Sequence, residues 1–221
     1  MEISSCIIYE DTQLLVCHKP CGLAVQSARM DTMDLESAVK NYLAEKNAAQ
    51  VPYLAVIHRL DQPVEGLVIL AKTPEAAAKL SRQITEGKMQ KYYLAATSHI
   101  PEQKEAVLED FLLKDRKMNL SRIVASGTPN GKKARLSYRV LKEKDGRAIF
   151  EIRLFTGRHH QIRVQMAGHG MPLMGDRKYN NLECMQENGS LALCAYRIAF
   201  CHPVTGKKME LKIKPENPLL Q

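Results

Sequence analysis

Apolar positions along the chain alternate or cluster in short runs, and only a few stretches recur at the spacing of a helix face. Ser5–Tyr9 and Gln13–His18 read as a hairpin across Glu10, Asp11 and Thr12. Leu35, Ala38, Val39, Tyr42 and Leu43 fall at helical spacing, with Asp31 or Thr32 as the expected cap. Ala55–Ile57 and Leu67–Ala71 are β-leaning runs that flank a charged segment ending in Pro63 and Gly66. That pattern reads as strand, turn, strand, and it places Asp61 at a strand end beside His58 and Arg59. Thr73-Pro-Glu75 opens a second helix, with Ala77, Leu80 and Ile84 expected to face inward and Gly87 to end it. Lys91–Thr97 reads as a strand, and Ala134–Glu143 and Ala148–Phe155 meet at Asp145-Gly146, a pair favoured in tight hairpins. Arg158–Gly168 is expected to be a short helix, and Leu191–Cys201 with Lys207–Lys214 a last hairpin. Hairpins dominate, which predicts an α+β fold: a mixed, mainly antiparallel sheet with helices packed on it. Without a linker, repeat or low-complexity tract, residues 1–221 are read as one domain.

Composition narrows the class of protein. Hydrophobic residues make up 45% and charged residues 25% of the 221, which is ordinary for a soluble globular protein. No apolar run approaches the ~18 residues that span a bilayer. The start, Met1-Glu-Ile-Ser-Ser5, lacks the basic and apolar regions of a secretory signal, so a cytoplasmic protein is expected. The cysteines Cys6, Cys17, Cys21, Cys184, Cys194 and Cys201 are too scattered for a disulfide scaffold and read as reduced thiols. Cys17 and Cys21 lack a second close pair, and no metal site is expected.

The net charge of +8 points toward a polyanionic partner. Lys114–Lys117 and Gly131–Arg135 are basic, loop-like clusters, each of which alone reads equally well as solvated surface. Together with His58-Arg59 and Arg158–Arg163 around one acidic turn, they resemble a phosphate track.

Three local patterns concentrate the chemistry: His58-Arg-Leu-Asp61, Lys91-Tyr-Tyr93 and Thr156-Gly-Arg-His-His-Gln-Ile-Arg163. Taken singly, Asp61 is a turn residue, Tyr93 a half-buried strand residue and Arg163 a surface cation. With Lys19-Pro-Cys-Gly-Leu23 upstream and Gly175-Asp176 and Tyr179 downstream, their order and spacing resemble the RluA-type RNA pseudouridine synthases over nearly the whole chain. The resemblance implies an isomerase that detaches uracil from C1′ of an RNA uridine, rotates it and rejoins it through C5, without metal or cofactor. It makes Asp61 the essential carboxylate, attacking either C1′ or the base C6. An aspartate suits both, as a compact nucleophile that is ionised at neutral pH. Arg163 is implied to pair with Asp61 and keep it charged, and Tyr93 to stack on the target base. Arg59 is the residue implied to fill the space left when the uridine flips out; its bland alternative is an ion pair with Glu65. His58, Lys91, Arg158 and Gln161 complete the expected RNA-contacting set, and the implied partner is ribosomal or transfer RNA, met by a monomer.

Two positions depart from the pattern. Pro63-Val-Glu-Gly66 stands where the family more often has a Thr-Ser/Thr-Gly run, which brings Glu65 close to Asp61. Gln165 replaces a common histidine. Nothing resembles the small N-terminal RNA-binding domain of many relatives, so the catalytic domain is expected to recognise RNA alone. The competing readings are a non-catalytic RNA-binding protein on the same fold and a hydrolase using Asp61 with His58 or His160. Against the second stands the lack of a Gly-x-Ser-x-Gly elbow, Walker loop or dinucleotide fingerprint. His159 and His160, if helical, would point about 100° apart and suit one metal poorly.

Overall fold

The computed structural model describes residues 2–27, 32–47, 51–144, 146–180 and 190–221. Strands β1 (Ile7–Glu10) and β2 (Leu14–Lys19) precede helix α1 (Leu35–Lys46). Strands β3 (Ala55–Val56) and β4 (Glu65–Ala71) precede helix α2 (Pro74–Thr85). Five strands then follow in succession: β5 (Gln90–Thr97), β6 (Glu105–Asp115), β7 (Leu120–Val124), β8 (Lys132–Lys144) and β9 (Arg147–Leu154). Helix α3 (Gln161–Gly168) and strands β10 (Leu193–Cys201) and β11 (Lys208–Lys212) complete the order. The architecture is the expected mixed, mainly antiparallel sheet with three helices among the described residues.

The chain divides into two compact units, Met1–Met89 with Ala195–Lys214, and Gln90–Cys194 with Pro215–Gln221. In the first unit β2 pairs antiparallel with both β1 and β4, β3 pairs with β4, and β11 with β10. Leu14–Cys17 and the whole of β4 are buried on both faces, which is why these strands read as continuous apolar runs rather than alternating ones. Gly66 has φ +140, and a Cβ there would lie 2.5 Å from the backbone nitrogen of Ala195, so only glycine fits. In the second unit the order is β5-β9-β8-β6-β7, all antiparallel. Here one face is buried: Leu112 and Ala134 pack against Val164 of α3.

Local signals account for most boundaries, with instructive shifts. Helix α1 is capped by Asp34, whose side chain accepts from the Ser37 amide at 2.8 Å, rather than by Thr32; Asp31 lies outside the described residues. Helix α2 starts as expected, the Thr73 hydroxyl accepting from the Ala76 amide at 3.2 Å, with Ala76 and Leu80 buried and Ala77 only partly so. Strands β8 and β9 form the expected hairpin, although Asp145 itself lies outside the described residues. The largest correction concerns α3. It begins at Gln161, and Arg158–His160 form a turn in which His160 is left-handed at φ 53.

Candidate active site

In the first unit the 61–64 turn is held by main-chain bonds from the Lys19–Leu23 segment. Lys19 ends β2 and is fully buried, and its ammonium donates to the carbonyls of Pro20 (2.9 Å), Leu23 (2.7 Å) and Gln62 (3.2 Å). Burial pushes the Lys19 ammonium down to about 8, against the opposing pull of Cys21, Asp61 and Glu65. The Gly22 amide donates to the Gln62 carbonyl at 3.0 Å, and the Gln62 side chain returns a bond to the Gly22 carbonyl at 3.0 Å. The turn closes on itself when the Val64 amide donates to the Asp61 carbonyl at 3.0 Å. Asp61 is therefore placed by its backbone. A lysine closing the apolar run Leu14–Cys17 after His18 was the sequence signal for this clamp, which motif spacing alone did not reveal.

The flanking residues divide in use. His58 turns inward, and its Nε2 accepts from the Ile69 amide of β4 at 3.3 Å. Arg59 is exposed. Glu65 points into the protein, 4% exposed, and binds Nε2 of His18 at 2.9 Å, so the expected alternative of an Arg59–Glu65 pair is replaced by a histidine partner from β2. The unusual acid after the aspartate thus comes with its own counter-group.

In the second unit Tyr93 lies on β5, buried on the face opposite Tyr92. Lys91 shares the Tyr93 face; burial lowers its pKa, and its ammonium approaches within 3.6 Å of where a Cβ on Gly157 would stand. Gln161 is buried and spends its amide on the preceding loop. Its Oε1 accepts from Thr156 Oγ1 (2.8 Å) and the Arg158 amide (3.0 Å), while Nε2 donates to the Arg135 carbonyl (3.1 Å). Arg158 is exposed, with Nε on the Lys133 carbonyl at 2.9 Å.

Arg163 is a buried cation, not a surface one. Its Nε and Nη2 donate to the two carboxylate oxygens of Asp176 at 2.8 and 2.6 Å, a two-pronged bond that fixes the guanidinium plane. Asp176 in turn accepts from the amides of Lys178 and Tyr179. The Tyr179 ring lies 5.3 Å from the Arg163 guanidinium, and its hydroxyl accepts from the Ser121 amide at 2.8 Å. That hydroxyl then donates to His160 Nδ1 at 2.8 Å, consistent with a neutral imidazole. Burial, with Arg163 and His159 adding repulsion, pushes His160 down to about 3. The His159 and His160 rings stack at 3.8 Å rather than splaying, because both precede the helix. Gln165 donates to Asp110 at 2.7 Å and to the Leu108 carbonyl, so it ties α3 to β6. Among the described residues no group of three or more His, Cys, Asp or Glu is arranged to hold a metal ion.

The chain carries the motif set of one family, and comparison bears that out. The profile of the RNA pseudouridylate synthase family matches residues 13–168. The chain belongs to that family, and its motifs are those of the RluA type. It is 33% identical over 177 residues to an RNA pseudouridine synthase of Zymomonas mobilis, covering 79% of this chain and 78% of that one. It is 31% identical over 209 residues to ribosomal large subunit pseudouridine synthase C of Rickettsia prowazekii, covering 94% and 67%. The protein of the same name from Vibrio cholerae is 30% identical over 225 residues, covering 100% and 69%. In fold the chain is similar to human RNA pseudouridylate synthase domain containing 4, with a TM-score of 0.79 at 22% identity, covering 97% and 90%. No helix among the described residues is long and apolar enough to cross a membrane.

Proposed function

We propose that this chain acts in the cytoplasm as one monomeric catalytic domain that converts uridine to pseudouridine in ribosomal RNA, with transfer RNA as the other candidate substrate. The reading is carried by the clamped Asp61 turn standing inside a family match that contains the Lys19–Leu23, His58–Asp61, Lys91–Tyr93 and Thr156–Arg163 motifs. Relatives named as ribosomal large subunit pseudouridine synthases favour ribosomal RNA. In this reaction the N1–C1′ bond breaks, a C5–C1′ bond forms, and the C5 proton leaves while N1 gains one, so the change is an isomerisation. Asp61 is the nucleophile, and Arg163 is its cationic partner in the role the motif set implies. Tyr93 stacks on the base. A phenol is a weak base at neutral pH, which suits Tyr93 to packing. Arg59, exposed beside Asp61 in sequence, fills the gap left by the flipped nucleotide. Lys91 and Arg158 contact phosphate together with the basic clusters at Lys114–Lys117 and Lys132–Arg135, which fall across the end of β6 and at the start of β8 rather than in loops.

The test is a carbodiimide-based pseudouridine map of total RNA from cells with and without the gene. One or a few sites should vanish and return with the wild type but not with Asp61→Asn. A map that stays unchanged would overturn the catalytic reading in favour of an RNA-binding protein.

A further inference from the structure

The second unit's sheet has two faces with different chemistry. Tyr93, Tyr138, Phe150 and Ile152 lie on the buried face. On the other face Tyr92 of β5 stands opposite Arg153 of β9. Just past β9, the Phe155 amide donates to the Arg135 carbonyl of β8 at 3.1 Å, which sets Phe155 beside Arg135. The four side chains form one ladder. The Arg153 guanidinium lies 5.9 Å from the Tyr92 ring and 4.9 Å from the Phe155 ring, and Arg135 covers Phe155 at 4.7 Å.

Two properties distinguish this ladder from sheet packing. It stands in solvent: Phe155 is 39% exposed and the Arg135 side chain 47%. It is also positively charged. Glu109 binds both Lys133 and Arg135, each at 2.9 Å, whereas Arg153 has no carboxylate partner among the described residues. Cross-strand pairs of this kind add little to a sheet, which leaves an uncompensated cation and an exposed phenyl ring without a structural reason. Planar cations interleaved with aromatic rings suit another partner well, a single-stranded nucleic acid. Bases stack on the rings and guanidinium planes, and the outward N–H groups meet phosphate.

We infer that Tyr92, Arg153, Phe155 and Arg135 form a stacking platform for a single-stranded segment of the substrate RNA, on the sheet face opposite Tyr93. The inference rests on the chain acting on RNA, and it supplies an anchoring surface separate from the residues assigned to chemistry. Such a platform holds flanking RNA irrespective of its sequence.

The test uses the full chain and a fluorescent oligoadenylate RNA of about 12 nucleotides. This probe lacks uridine and offers the catalytic residues no substrate. Binding by anisotropy should weaken at least tenfold in Arg153→Gln/Phe155→Ala, with the thermal midpoint unchanged. The separate Arg153→Lys variant, which keeps charge but loses the planar fork, should retain part of the affinity. Turnover of a short stem–loop bearing the mapped uridine should persist in the double variant, while turnover of long RNA falls. Unchanged oligoadenylate binding in the double variant would overturn the platform. Asp61→Asn should bind the probe like wild type, so loss of pseudouridine formation and loss of the platform are separate results.

Discussion

The Asp61 turn and the start of helix α3 are fixed by opposite means. In the first unit a buried lysine and a glycine–glutamine exchange hold the turn through its main chain, with carbonyls as acceptors. In the second a buried arginine is held through its side chain by a carboxylate. The acceptors in the clamp are neutral, and burial lowers the pKa of the ammonium they surround. A guanidinium, unlike an ammonium, cannot shed its proton, and left unpaired in the interior it costs several kcal/mol. A buried ammonium can thus be held by carbonyls with a lowered pKa, whereas the buried guanidinium takes a carboxylate.

Substitutions on each side test this contrast, the largest effect first. Asp61→Asn should lower pseudouridine formation by at least ~10³-fold while leaving the urea midpoint close to wild type, because the turn is held by backbone. A stability loss equal to the activity loss would show that the carboxylate itself supports the turn. Asp176→Asn should cost about 3–5 kcal/mol in urea unfolding, since Arg163 is left buried without its carboxylate. A loss below about 1 kcal/mol would mean that another group neutralises Arg163. Lys19→Met should cost about 2–3 kcal/mol, because buried carbonyls lose their donor, and should lower kcat more than it raises KM.

Two pH dependences sharpen the same comparison. Folded Lys19 releases its proton near 8, whereas the unfolded chain keeps it to about 10.5. The unfolded state therefore binds more protons between those values, so the Lys19 contribution to stability rises with pH there, a slope that Lys19→Met should lack. His160 titrates near 3 when folded and near 6.5 unfolded. Its contribution is complete above 6.5 and is lost as pH falls toward 3, amounting to about 2 kcal/mol between pH 7 and pH 5. Urea titrations of His160→Asn should show a flatter acid limb, and asparagine tolerates the left-handed backbone at this position.

Much of this was legible before any coordinates. Thr73-Pro74 announced α2, and the apolar runs announced β2 and β4. Strand β6 was not anticipated, because Glu105, Val107, Glu109 and Phe111 on one face and Ala106, Leu108, Asp110 and Leu112 on the other mix polar and apolar residues on both. The start of α3 was misplaced because a left-handed histidine leaves no mark in hydrophobic periodicity. The resolution of Glu65 by His18 was hidden for another reason: the partners are 47 residues apart, and β2–β4 register alone brings them together. Asp176 belonged to a quoted motif, but its grip on Arg163 required three dimensions.

The burial of Lys19 gives the folded protein a built-in timer. Acylating reagents attack neutral amines they can reach, and the exposed Lys114, Lys117, Lys132 and Lys133 should react at once. Lys19, with its amine enclosed by carbonyls, should react only when the Asp61 turn opens. Its labelling rate, read by mass spectrometry, would therefore report how often the loop bearing the nucleophile comes undone, and RNA that closes over that loop should slow the clock.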